Sequence, residues 1–429
     1  MFVPVLLVVS LVGAAPAERV DLVFGGDIIP HDGVKQAAAE HALSQPGGAA
    51  RAVSLNHEGW DFVLEPIARE LRAADLAVVN LETPISGNPR APTAPLIFDA
   101  PPQLAHALVS AGVDVVSIAN NHAFDQRRAG IPSTWSHLDA AGLNHVGSAP
   151  TEAMAWEPLV VERKGIRVGL LSITRWLNGA SNPDDPDRSP HVAYVPYPSK
   201  KRRGLTPEAA AALVGSAARR CDALIVMIHW GTEYSHSPKP EDRQLAQRLL
   251  EAGALAVVGH HPHVLQPIEP YRTRAGRDTV VAFSLGNLIA NQDGHYVHGA
   301  GAEARGRKRD SMLFRLSLSR PHPGAPVELA GTSVLPVWID TNYVVALRER
   351  EGQRRIQPVL LDEELKTLSG RLLAFSASGP PRKVREERRE LERRLDLARR
   401  RRALILRMTL PPSGGEGSVS PAASVRGVN

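Results

Sequence analysis

The stretch "ALAVVGHHPHVLQPIE" (254–269) runs from a wholly apolar segment straight into three histidines and a proline. An apolar run of this length, bounded by Gly259 and Pro262, reads as a strand buried on both faces, the kind found in parallel sheets. Pro262 ends the ladder because it has no N–H to donate. The histidines themselves allow two readings at this point. They form a polar turn at a strand end, or they begin a metal site, since neutral imidazoles ligate first-row divalent metals.

Five further segments repeat the apolar form: "VDLVF" (20–24), "LAVVN" (76–80), "VDVVSIA" (113–119), "ALIVMIH" (223–229) and "VVAFSLG" (280–286). Helical patterns lie between them, around 60–73, 101–111, 133–141, 206–219 and 240–252. That alternation predicts an α/β domain with a largely parallel central sheet. "LVVERKGIRVGLLSI" (159–173) reads as a hairpin turning at Lys164-Gly165, and 311–319 and 332–339 add antiparallel strands. The segment 177–204 is a long Pro/Asp/Ser loop, and loops of that length in compact domains carry function or move.

Polar residues gather where these strands end. Asp27 follows the first. Asn80 and Glu82 end the second, two apart and so on one side. Asn120, Asn121 and His122 end the third, with Asp125 beyond. His229 ends the fourth, with Glu233 close behind, and His260, His261 and His263 end the fifth. In an α/β sheet the ligand crevice lies outside the carboxyl ends of the strands. Five strands thus deliver Asp, Asn, Glu and His to one edge, which favours the metal reading. Mixed nitrogen and oxygen donors suit one or two divalent ions, Mn, Fe or Zn rather than Mg.

Each residue also has a plainer reading. Asp27 can serve as a turn residue, Asn80 can cap a strand-end turn, and Asp125 can orient a neighbour or cap the following helix. Glu233 is divided between a salt bridge and the substrate region. His260 can be a core histidine, with His261 and His263 on the other face. Asn287, in "SLGN", sits in a turn that also suits ligand contact. Arg127 and Arg128 read as an exposed helical pair, with carboxylate or phosphate recognition as the alternative.

The chain has 429 residues, 43% of them hydrophobic and 22% charged, an ordinary globular composition. Residues 2–13 are too short an apolar run to span a bilayer, and "APA" (15–17) supplies a cleavage pattern. A secretory leader over 1–17, removed before Glu18, is expected, although its start carries no Lys or Arg. The single cysteine, Cys221, excludes an intramolecular disulfide and reads as a small packed residue. Residues 380–410 carry a net of +7, so the rest of the chain sits near −2 against the overall +5. This basic helix reads as a solvated face, with docking to anionic polymer or lipid headgroups as its alternative. "SASGPP" (376–381) is a linker, and 411–429 reads as a disordered tail.

Six motifs, "GGDII", "VNLETPIS", "IANNHAFDQRRAG", "HWGTEY", "GHHPHVLQPIE" and "FSLGNLI", resemble in order those of the bacterial capsule-synthesis CapA family. That family is linked to poly-γ-glutamate production and belongs to the calcineurin-like metallophosphoesterases. The resemblance covers roughly 20–345. It implies a four-layer αββα sandwich of the metallo-dependent phosphatase type over 18–345; the extension and linker (346–379) and the basic helix lie outside the resemblance. It implies a metal set of Asp27, Glu82, Asn121, His229, His261 and His263, with His122 assisting the leaving group. His31, Asn80, Asp125, Glu233, His260 and Asn287 would surround them. Two departures stand out. The superfamily's Asp-x-His is absent, with Ile28 and Ile29 after Asp27 and His31 four residues on, and Glu82 replaces a bridging aspartate.

The resemblance implies an exported hydrolase, periplasmic or at the cell surface, acting on an anionic envelope polymer or a phosphoester beside a membrane-bound synthase. The alternative is a non-catalytic accessory that uses the same pocket to hold the polymer. Nucleic acid is not among the expected partners.

Overall fold

A computed structural model describes residues 18–44, 59–88, 94–200, 203–299, 302–344, 353–375, 381–409 and 419–421. The expected leader, most of the tail and parts of the linker region lie outside the described residues.

Two sheets form the body. The first is built around β1 (Glu18–Ile28), which is followed in parallel by β2 (Leu76–Leu81), β3 (Val115–Ser117) and β4 (Asn144–Val146). On the other side of β1, β14 (Asp310–Arg320), β15 (Glu328–Thr341) and β16 (Ile356–Leu360) run antiparallel. A short β13 (Asn287–Ile289) joins the carboxyl end of β1 in parallel. The second sheet has parallel strands β7 (Ile166–Thr174), β9 (Ala223–His229), β10 (Ala256–His260) and β12 (Asp278–Ala282). Antiparallel β6 (Leu159–Arg163) and β11 (Ile268–Arg272) close its two edges. Lys164 and Gly165, both at positive φ, form the tight β6–β7 turn. A separate pair, β5 (Ser148–Ala149) and β8 (His191–Val192), ties down the long loop.

Strand alternation sorts the apolar residues into layers. Val23, Ala77 and Val79 face a cluster with helices α1 (Asp32–Ser44), α2 (Trp60–Ala73) and α3 (Gln103–Ala111). Leu22, Phe24 and Val78 face the second sheet, where they meet Leu170, Ile225, Met227 and Val258. On the far side Leu171, Val226, Ile228 and Val257 pack under α5 (Pro207–Ala218) and α6 (Pro240–Ala252). Each fully buried Val, Leu or Ile contributes about 1.5–3 kcal/mol, so these clusters hold the fold without a disulfide. Helix starts follow the local chemistry. Thr206 Oγ1 accepts from Ala209 N at 3.2 Å with Pro207 at the first helical position, whereas α6 shares only the opening proline, Pro240, and has no side-chain cap. Cys221 is buried and free, as read from its context.

Several elements depart from the sequence reading. The helix expected from 133 is α4 (Arg127–Ala141), which carries Pro132 inside it rather than at its start. The run 113–119 pairs only over Val115–Ser117. α1 and α7 (Leu361–Leu373) were not foreseen; α1 buries only Gly33, Val34, Ala37 and Ala38, too weak a stripe to register. In the tail, Val419–Pro421 pairs with Thr332–Val334 as a short strand.

The basic helix α8 (Pro381–Thr409) is the main correction, because one face of it is not solvated. Leu391, Leu395, Ala398 and Ile405 are buried, as is Arg401, whose Nη1 lies 3.2 Å from the buried Asp310. Arg394 pairs with Glu364 at 2.6 Å and Arg402 with Asp362, fastening α8 to α7. The remaining arginines stay on the outer face, where Arg382–Glu386 and Arg388–Glu392 are exposed i,i+4 pairs.

Candidate functional site

The parallel register lines up the strand-end residues. Asp27 stands beside Asn80 on β2 and Asn287 on β13, and His229 stands beside His260 on β10. Gly26 permits this arrangement: a Cβ there would fall 2.0 Å from the carbonyl oxygen of Gly286, whose oxygen accepts from Asp27 N at 3.0 Å. The chain after β10 turns through positive φ at His261 (96°) and His263 (57°), on either side of Pro262. Such values are costly for non-glycine residues and concentrate at functional sites. The bent turn, rather than simple alternation, brings both imidazoles to one pocket.

The first sheet supplies Asp27 and Glu82, and the second supplies His229, His261 and His263, all buried. Two groups have ligand atoms within 4.8 Å of one another: Asp27, Glu82 and His229, and Glu82, His261 and His263. Glu82 belongs to both. Its Oε1 lies 3.5 Å from His229 Nε2, 3.7 Å from His263 Nε2 and 3.9 Å from His122 Nε2. Neither Glu82 oxygen has a hydrogen-bond partner, and His261 Nδ1 and Asn80 Oδ1 also lack one. Buried polar atoms without partners are costly and rare. This donor set, two carboxylates and three imidazoles with unsatisfied atoms, fits a divalent cation.

The surrounding groups fix the donors. Asn80 Nδ2 donates to Asp27 Oδ1 at 2.8 Å. Asn121 Oδ1 is 2.8 Å from His229 Nε2, and Asn121 Nδ2 donates to Asn178 Oδ1 at 3.2 Å. Asn287 Oδ1 is 3.0 Å from His263 Nδ1, leaving Nε2 turned toward Glu82. His260 is not buried among apolar side chains alone: its Nδ1 lies 3.3 Å from Asp27 Oδ1. His122 is outside both metal groups. Its Nδ1 is 2.7 Å from Asp125 Oδ2, and its ring packs against Phe98 at 4.4 Å between centroids. His31 is outside both metal groups, and its Nδ1 accepts from Asn291 N at 3.2 Å. Glu233 is exposed at the rim, beside Tyr234.

Electrostatics follow from burial in a crowded pocket. Burial alone would raise Asp27, but His260 and His263 outweigh it and hold the carboxylate well below its usual range. Burial pushes Glu82 up to about 8 against the pull of His263. His263 resists its own burial because Glu82 and Asp27 face it, and rises to about 9. Burial, with help from neighbouring imidazoles, lowers His31 to about 4 and holds His261 well down; His229 is also held down, mainly by burial. Protons on Glu82 and His263 thus stand where a cation would otherwise neutralise the pocket.

Three supports complete the site; the sequence reading named only Asn120 of them, as a strand-end residue without a role. Asn120 accepts from His122 N at 3.1 Å and donates to the carbonyl of Leu81 at 2.8 Å, joining the turns after β2 and β3. Asn178, in the long loop, braces Asn121. Behind His229, Arg175 and Asp242 form a buried ion pair at 2.8 Å, and Tyr197 donates to Asp242 while accepting from Gly231 N at 2.7 Å. The consecutive Asn120-Asn121 was the only one of these signals visible in a motif.

Comparison with known proteins identifies the family. The family model described as bacterial capsule synthesis protein PGA_cap matches residues 21–292. The PGA biosynthesis protein CapA of Bacillus subtilis is 26% identical over 295 residues, covering 66% of this chain and 69% of that protein. The capsule biosynthesis protein CapA of Bacillus anthracis is 28% identical over 249 residues, 56% of each chain. A probable polyglutamine synthesis accessory protein of Mycobacterium tuberculosis is 27% identical over 335 residues, 74% of this chain and 84% of that one. The match takes in every metal-capable side chain from Asp27 to His263, and the chain belongs to the bacterial capsule synthesis PGA_cap family.

Proposed function

We propose that this chain is an exported, metal-dependent phosphoesterase-like hydrolase in the synthesis of poly-γ-glutamate or a related anionic envelope polymer. The observation that carries the reading is Glu82, shared by two groups of metal-capable side chains. Asp27, Glu82 and His229 would hold one ion and Glu82, His261 and His263 another, with Asn121 as a further oxygen donor. Divalent ions there would supply Lewis-acid activation of a phosphoryl centre and of water. His122, tethered by Asp125, is set to give a proton from Nε2 to the leaving oxygen. The helix, sheet, sheet and helix layers support the αββα sandwich of the metallo-dependent phosphatases.

Export rests on the apolar run 2–13 and the cleavage pattern before Glu18, where β1 begins, so removal of the leader would spare the strand. Among the described residues no helix is long and apolar enough to cross a membrane. The names of the relatives, a PGA biosynthesis protein and a probable polyglutamine synthesis accessory protein, support an accessory place in polymer synthesis, which we assign beside a membrane-bound synthase.

A second reading has its own observation. His31 accepts from Asn291 N and belongs to neither metal group, which favours a non-catalytic accessory that uses bound metal to hold polymer carboxylates. Two variants decide. His122→Ala should lower hydrolysis of a generic phosphodiester by about 10²–10⁴-fold and keep its metal. His229→Ala should lose both. Absence of turnover in the metal-loaded wild type, with polymer binding indifferent to His122, would establish the accessory role instead.

A further inference from the structure

A second cavity lies away from the strand ends, between α8, β15 and the loop that follows β13, with a volume of about 370 Å³. Its apolar wall includes Val359, Leu397 and Ala398 beside the rings of Tyr296 and Trp338. Its acids are engaged: Asp340 accepts from Arg355 at 2.8 Å, Glu364 from Arg394 at 2.6 Å, and Glu390 pairs with Arg393.

Arg309 also lines this cavity and is almost wholly buried. Its Nε donates to the carbonyl of Ile339 at 2.7 Å and its Nη1 to that of Tyr296 at 3.2 Å. Among the described residues no carboxylate forms an ion pair with it, and burial pulls its guanidinium down to about 10. Two buried donors lack acceptors, Trp338 Nε1 and Arg355 Nε, and both residues line the cavity. A buried cation and buried N–H groups without partners carry a large desolvation cost.

We propose that this cavity is a binding site for a small monocarboxylate with an apolar body. One negative charge on two acceptor oxygens matches a guanidinium that Asp340, Asp310 and Asp293 attract only from beyond ion-pair distance, together with the neighbouring free N–H groups. A dianionic phosphate would bring one charge too many. The apolar wall then takes the ligand's body, while the rings of Trp338 and Tyr296 stack against Arg309 and Arg401 and hold those guanidinium groups in place. This site is independent of the metal centre and stands whether or not the chain hydrolyses anything.

The test is calorimetric titration of the full-length protein in EDTA, with phenylbutyrate as probe. Phenylbutanol, its neutral counterpart, and inorganic phosphate serve as comparisons. Phenylbutyrate should bind one-to-one, and phenylbutanol should bind about tenfold more weakly or less. Arg309→Met should erase that difference. Val297→Trp, at the exposed rim and so tolerated by the fold, should abolish binding of both. The proposal is overturned if phenylbutyrate gives no binding, if the alcohol or phosphate binds as well, or if either variant binds like the wild type.

Discussion

Glu82→Gln probes the shared carboxylate directly. Glutamine keeps the shape of the side chain and removes the ionisable oxygen 3.5 Å from His229 Nε2 and 3.7 Å from His263 Nε2. The group with His261 and His263 is left without a carboxylate, while Asp27 and His229 keep one between them. Metal at a hundredfold its dissociation constant stabilises a folded protein by about 2.7 kcal/mol per site. Two filled sites therefore give about 5 kcal/mol, and the variant retains about half of that or less. At roughly 1–2 °C per kcal/mol for a chain of this length, Mn²⁺ should raise the wild-type melting temperature by about 5–10 °C and the variant's by about half. Without metal the sign reverses. The folded-state pKa of Glu82, about 8, is raised above the ordinary 4.5, so its contribution is complete below pH 4.5 and is lost as pH rises to about 8. Glutamine removes that loss, so the metal-free variant should gain on the wild type as pH rises. Differential scanning fluorimetry in Mn²⁺ and in EDTA, with elemental analysis, measures both effects. Equal metal content and equal shifts in the two proteins would refute the shared ligand.

Two further predictions concern the metal and the tail. Loading the metal-free protein must displace protons from Glu82 and His263, so affinity should climb with pH and level off near 9; a flat titration would contradict this. Arg401→Met strands the buried Asp310 and should cost about 3–5 kcal/mol in urea unfolding. A loss under about 1 kcal/mol would mean that the pair is solvated.

The site was legible in the sequence because parallel strands expose their carboxyl ends to a common edge, so Asp27, Glu82, His229 and His261 announce themselves as polar stops to apolar runs. The αβ alternation followed from the same runs. What could not be read depended on distant packing. Tyr197 and Asn178 lie in an aperiodic loop, and nothing local says that one clamps the turn after His229 and the other braces Asn121. In α8 the apolar stripe of Leu391, Leu395 and Ala398 was visible, but twelve basic residues around it outweighed the signal. Only the position of Asp310 on β14 reveals that one of those arginines belongs inside. The conformations of His261 and His263 were likewise hidden, since positive φ at a histidine has no sequence marker.

The donors are divided between the two sheets: Asp27 and Glu82 belong to one, and the three imidazoles of the metal groups to the other. Neither half owns a complete site, so any ligation would be a late event in the life of the chain, after the segments around 20–82 and 223–263 have found each other. A polypeptide threaded through a membrane before folding would arrive empty. It would then acquire its ions from the compartment that receives it, and the composition of that compartment would choose the metal among chemically similar candidates.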